Sequence, residues 1–360
     1  MVNLVHSRNK DLIRKSYRGK DSLFSYLDHY DVEYSSVYRR QGYLVIELVN
    51  IFETANLLDY FSPCERAMVA SGWYKLLLFY PKEPVSYRLI KTSLDALNNH
   101  FVPNKNIILV TGEHGPELLR EFPSDLTVIP YFWFDMSTLH SYSGRTDISH
   151  NPSKSFLCYN GTVKLHRTLM FEQLQHNKDG YVSYLKRIYS KDVVQDEIDN
   201  SLLSAHEKIV AQNISYSAPV EIDLSPKQCI TNQFTDDLDL YHDTKFSIVT
   251  ESISSPGSLF ITEKTFKAIL SMHPFMISGS PGLIAFMQSQ GYKSYCLMFD
   301  ETYDTIQHLT DRTRVIVDQV ANCKSADPDS VFDIAHFNRE RCLTTNYGSR
   351  LSSLLEIIDK

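Results

Sequence analysis

Short apolar runs separated by stretches of helical period set the pattern of the chain. Residues 43–49 (YLVIELV), 75–80 (KLLLFY), 106–111 (NIILVT) and 126–130 (LTVIP) are rich in aliphatic, β-branched and aromatic side chains. A strand covered on both faces has this signature, because neither face meets water, and such strands alternating with helices assemble into parallel sheets. Residues 86–100 and 116–122 read as the intervening helices. The segment 141–155 is polar, rich in turn residues and without apolar period, which is how a domain linker reads. A second alternation follows, with strands at 155–159, 246–250, 274–278 and 295–299 and helices at 166–176, 263–272 and 283–290. A final helix at 350–358 fits either half. The pattern predicts an α/β chain of two parallel-sheet domains, 1–150 and 151–360.

Composition agrees with this and removes some classes. With 360 residues and 43% hydrophobic content, each half can bury a core. A net charge of -7 gives the whole molecule no bias toward nucleic acid or anionic lipid. One local exception is the first twenty residues, with Arg8, Lys10, Arg14, Lys15, Arg18 and Lys20 against Asp11 alone. The six cysteines are scattered without a C-x-x-C pair, and read as reduced thiols in a cytosol. No signal-type apolar region opens the chain and no run approaches a membrane span, so a soluble, cytoplasmic protein is expected. G-x-G-x-x-G and G-x-x-x-x-G-K-[ST] are both absent, which argues against dinucleotide oxidoreductases and P-loop kinases. Asp237-Leu238-Asp239 has the D-x-D form of a metal site, but follows a polar stretch rather than an apolar strand, so solvated acids are the better reading.

Candidate chemistry concentrates between 245 and 294. A strand ends at Thr250-Glu251, and in an open parallel sheet ligands gather beyond the carboxyl ends of strands. After a loop containing Pro256 and Gly257, Thr262-Glu263-Lys264 opens a helix: Thr262 is a natural N-cap, and Phe266, Ile269 and Leu270 form an inward stripe. A helix amino terminus offers unpaired N–H groups and the positive end of the macrodipole, a seat for phosphate to which Lys264 adds a full charge. Carboxylates repel phosphate, so Glu251 and Glu263 suit accepting hydrogen bonds from ribose or sugar hydroxyls, or holding Lys264. Gly279 and Gly282 suit a tight turn.

The succession FSIVTE, FITEKTFKAI and HPFMISGSPG resembles the nucleotide-sugar-binding half of the α-1,3-fucosyltransferase-like enzymes and related viral and bacterial glycosyltransferases. Upstream, FLCYN at 156–160 followed by KLHR at 164–167 is similar to the segment where those enzymes place a strand, a turn and a basic residue facing the diphosphate. The resemblance covers roughly 154–299, and its loop between Glu251 and Thr262 departs from the family pattern. It implies a GT-B architecture of two Rossmann-like domains with parallel sheets facing a central cleft, acceptor-side first and donor-binding second. It further implies an inverting, metal-independent glycosyltransferase with no cofactor beyond its nucleotide-sugar co-substrate. The donor would be met by Glu251, Thr262, Glu263 and Lys264, with Arg167 on the phosphates.

Transfer also needs a base for the acceptor proton. Glu113 and His114, in a glycine-flanked turn after the strand 106–111, are the candidates, with Glu53 a third. A glycan is the favoured acceptor. Two alternatives stand beside this reading. One is transfer to a modified DNA base, with the basic amino-terminal stretch, Arg39 and Arg40 along the DNA. The other is a nucleotide-sugar-binding protein without turnover.

Overall fold

A computed structural model describes residues 1–6, 22–38, 40–47, 62–82, 87–100, 102–140, 152–185, 191–201, 203–220, 238–323 and 328–360. The basic amino-terminal stretch, Arg39, Glu53, Asp237 and most of the expected linker lie outside the described residues. The chain divides into two compact α/β units: Met1–Ser137 with Thr345–Lys360, and Thr138–Thr344.

The first unit holds five parallel strands in the order β1 (Leu4–His6), β2 (Gly42–Glu47), β3 (Tyr74–Tyr80), β4 (Ile107–Thr111) and β5 (Thr127–Pro130). Register places Leu44 beside Leu76 and Leu76 beside Ile107, so these side chains share one face. That face packs on Val69 of α2 (Pro63–Ala70) and on Ile90, Leu94 and Leu97 of α3 (Tyr87–Asn99). A helical turn, α4 (Pro116–Leu119), follows β4.

The opposite face is covered differently. Phe24 of α1 (Leu23–His29) lies against the His6 ring at a tilt, and Tyr26 meets Trp133, which in turn meets Phe79 of β3. Trp133 is a core residue, 1% exposed, just before α5 (Phe134–His140). The C-terminal helix, Tyr347–Ile358, completes this layer: Tyr43 donates its hydroxyl to the Ile358 carbonyl at 2.7 Å. Arg350 forks onto both Asp135 oxygens at 2.6 and 2.7 Å. Helices α2 and α3 fall on one side of the sheet, and α1 together with the returning final helix closes the other. The final segment therefore belongs with the first unit, whereas the sequence-based division at 150 groups it with the second.

The second unit carries four parallel strands in the order β7-β6-β8-β9: β6 (Lys154–Cys158), β7 (Gly180–Val182), β8 (Thr244–Thr250) and β9 (Phe275–Ser278). Helix α6 (Leu165–Leu174) follows β6; α7 (Lys191–Asp199), α8 (Ala205–Tyr216) and the short α9 (Leu238–His242) separate β7 from β8. Helix α10 (Glu263–Leu270) joins β8 to β9, and α11 (Leu283–Ser289), α12 (Leu309–Asn322) and α13 (Phe332–Thr344) complete the unit. Phe266, Ile269 and Leu270 form the expected buried stripe of α10.

Residues 295–299, expected as a strand, form a turn instead. The Met298 and Phe299 N–H groups both return to the Tyr295 carbonyl. The tight turn lets Tyr295 and Phe299 pack on Phe275 and Phe246 of the sheet while Leu297 is 74% exposed, a division of faces that a doubly covered strand does not allow. No helix among the described residues is long and apolar enough to cross a membrane.

Candidate functional site

In the second unit the chain leaves β6 toward β7 on one side and leaves β8 toward β9 on the other. The connections diverge between β6 and β8, the point at which an open parallel sheet offers a crevice beyond its carboxyl ends. Two loops edge it, 159–164 after β6 and 251–262 after β8. A Cβ added at Gly161 would meet nothing within 4 Å, so open space borders the first loop.

Glu251 sits at the predicted position, fully buried, and its carboxylate turns inward onto its own helix. One oxygen accepts from the Thr262 N–H at 3.1 Å and the Thr265 hydroxyl at 2.6 Å; the other accepts from the Thr262 hydroxyl at 2.5 Å. The positive end of α10 is thus complemented by a carboxylate of the same chain. Helix α6 is treated alike, with Glu197 accepting from the Leu165 N–H at 3.0 Å, and so is α11, with Asp304 accepting from the Ile284 N–H at 3.1 Å. All three helices start at the carboxyl edge of the sheet, and each start carries an internal anion. The expectation that a helix terminus itself seats phosphate, with Glu251 facing sugar hydroxyls, meets a different arrangement: those acceptors and donors engage one another.

Thr262 is the N-cap of α10, as expected, and links Glu251 to the cation. Its hydroxyl accepts from the Lys264 ammonium at 2.9 Å, which also reaches Glu263 at 3.0 Å and the Ser252 hydroxyl at 3.3 Å. Lys264 is 30% exposed and Glu263 only 9% by side chain. Burial pulls the Glu263 carboxyl upward, but Lys264 and Lys267 outweigh it and hold it below the ordinary value. The structure therefore brings Glu251, Thr262, Glu263 and Lys264 into one cluster, in which the ammonium is the part open to solvent.

Arg167, in the first turn of α6, is 4% exposed and reaches across the divergence point. It donates to the Thr162 carbonyl at 3.1 Å, to Thr250 at 3.2 Å and to Glu251 at 2.9 Å. Its donors clamp the two loops together. Burial lowers its proton affinity, and Glu251 and Glu263 oppose that through space. Beside it His166 bonds through Nε2 to the Glu251 carbonyl at 2.8 Å. Burial above all, then the Arg167 charge, keeps that imidazole neutral.

Arg312 was not among the candidates read from sequence. It projects from the first turn of α12, is 2% exposed, and donates to the carbonyls of Ile306 at 2.6 Å, Gln307 at 3.3 Å and Ser254 at 2.9 Å. The signal was present: positions 312, 316 and 320 recur every four residues, so Arg312 shares the inward stripe of Ile316 and Val320.

In the first unit, Glu113 is 1% exposed, and its carboxylate accepts from the Gly115 N–H at 2.8 Å, stabilising the turn after β4. Burial lowers the His114 pKa to about 4, with the Arg350 charge adding to the shift, so the imidazole is neutral and weakly basic at pH 7. A general base works best with a pKa near the working pH, which this imidazole does not have. Glu47, a second residue missed in the sequence, closes β2 with one oxygen accepting from the Leu23 N–H at 3.1 Å. Its other oxygen is buried without a hydrogen-bond partner among the described residues, and burial raises its pKa to about 7. It too was legible, as a charged residue on the face that Tyr43 and Val45 bury.

No family model matches the chain, and no curated protein is significantly similar to it in sequence.

Proposed function

We propose that the protein is a GT-B glycosyltransferase whose second unit holds the diphosphate of a nucleotide sugar at the carboxyl ends of β6 and β8. One observation carries the reading. Lys264, Arg167 and Arg312 gather on the loop after β8, and neither arginine has a carboxylate at ion-pair distance among the described residues. Glu251, Glu263 and Asp304 act on these guanidinium groups only through space, and a bound diphosphate adds negative charge on the open side of the loop, where Lys264 meets solvent. Lys264, open to solvent, meets the phosphates directly; the guanidinium groups act through their field.

The chemistry follows from that placement. An acceptor hydroxyl oxygen, with a glycan as the favoured acceptor, bonds to the anomeric carbon and gives its proton to a base. The bond from that carbon to the diphosphate breaks, and its electron pair leaves on the diphosphate oxygen. Fixed positive charge where negative charge develops lowers the barrier without reorganisation, and a single displacement inverts the anomeric centre.

Thermal denaturation across a panel of UDP-, GDP-, CMP- and dTDP-sugars tests the binding step, because a ligand held only by the folded state raises the melting temperature. A selective rise with one nucleotide is expected, and Lys264→Ala should abolish it. An undiminished rise in that variant, or no rise with any sugar nucleotide, would overturn the placement of the diphosphate.

A second reading, nucleotide-sugar binding without turnover, has one observation in its favour: Glu113 is engaged by its own turn and His114 is held weakly basic. Consumption of the stabilising donor in the presence of mixed glycan acceptors decides between the two.

A further inference from the structure

The loop after β8 is held from two directions. Arg167 binds its first carbonyls, those of Thr250 and Glu251, and Arg312 binds that of Ser254 from a helix nearly sixty positions later in the chain. Three carbonyls can be satisfied by neutral donors, such as a glutamine amide or a hydroxyl, without bringing a charge into the interior. The Arg312 position carries a full charge instead, 2% exposed, with Asp304 the carboxylate that acts on it through space. Asp304 is itself engaged by the first N–H groups of α11. Burial is the larger influence on Arg312 and Asp304 offsets only part of it. The field of this guanidinium also reaches His166, where it joins those of Arg167 and Lys164, and His166 is bonded to the Glu251 carbonyl just after β8. A cation bonded to a carbonyl further polarises that peptide group, which strengthens its N–H as a donor on the other side. For Ser254 that N–H belongs to Ser255, which is exposed.

We propose that Arg312 is a positioning residue of the diphosphate site that serves it through its charge, supplying at the Ser252–Ser255 loop part of the positive field that a bound diphosphate meets. The inference rests on the diphosphate reading above and assigns a role within it to a residue that touches no ligand.

The test uses the full chain, with UDP, GDP and inorganic pyrophosphate as probes, followed by titration calorimetry at low and moderate salt. Arg312→Gln keeps donors and removes the charge; its affinity for the nucleoside diphosphate bound by the wild type should fall about tenfold or more. Arg312→Lys keeps the charge but cannot reach all three carbonyls, and should remain within about threefold of wild type. Wild-type affinity in Arg312→Gln would overturn the proposal while leaving the diphosphate site standing. A tenfold loss in Arg312→Lys would overturn it as well, because the fork geometry and not the charge would then be what matters. Should Arg312→Gln fail to fold, Arg312→Lys alone decides by the same threshold. If the wild type binds none of the three probes, the diphosphate reading fails, and the role of Arg312 fails with it.

Discussion

At the scale of single residues, the structure separates charges that are neutralised in place from charges that are not. Glu47 is the clearest case in the first unit, a carboxyl whose pKa is raised to about 7 by burial, against the opposing pull of the Leu23 N–H, the Lys82 charge and the Phe24 N–H. A carboxyl whose folded pKa exceeds its unfolded value favours the folded state below the unfolded value. That contribution is lost as pH rises through the folded pKa, so the window runs from about 4.5 to about 7. The shift corresponds to roughly 3 kcal/mol. Glu47→Gln should therefore be more stable than wild type in urea unfolding at pH 8, with the advantage shrinking toward pH 5. An advantage of equal size at both pH values would show that Glu47 does not titrate in this way.

At the scale of elements, close packing at the turn after β9 connects the strand end to the loop after β8. A Cβ at Gly279 would lie 2.6 Å from Leu283 Cδ1, 3.1 Å from the Glu251 Cβ and 3.2 Å from the Ile253 carbonyl oxygen. Leucine can rotate away, but a main-chain oxygen cannot. Gly279→Ala should cost about 1–3 kcal/mol in thermal or urea denaturation, and a loss under about 0.5 kcal/mol would mean the loop relaxes freely. The tight turn at 279–282 was legible from the sequence, and Gly282 does adopt positive φ, at 87°. The role of Glu251 was less so. Its place at a strand end follows from the apolar run before it, but its partner Thr262 lies eleven residues on. Only the course of the intervening loop decides whether a carboxylate faces solvent or returns to cap a helix. Strand β1 escaped the pattern for a simpler reason, since three residues are too few to show a period.

For the whole molecule, the sequence indicated two parallel-sheet units, because near-continuous apolar runs survive without knowledge of their neighbours. The membership of the last helix did not follow, since an amphipathic helix names no partner. Arg350 commits it to the first unit by binding Asp135, itself 2% exposed by side chain. Burial disfavours the Arg350 charge, and Asp135 more than compensates, raising its pKa. Arg350→Met takes the guanidinium away from the buried Asp135 carboxylate, so the first unit should lose about 3–5 kcal/mol. Calorimetry should then show unfolding that begins at a lower temperature than in the wild type. An unchanged denaturation profile would contradict the weight given to this ion pair.

The return of the chain also orders events during synthesis. The five strands of the first unit leave the ribosome before the second unit, yet the layer that shields Tyr43 and its neighbours is completed by a helix made only after it. While residues 138–344 are being made, the sheet face around Tyr43 lacks that helix, so the nascent first unit exposes apolar surface for the length of a whole second unit.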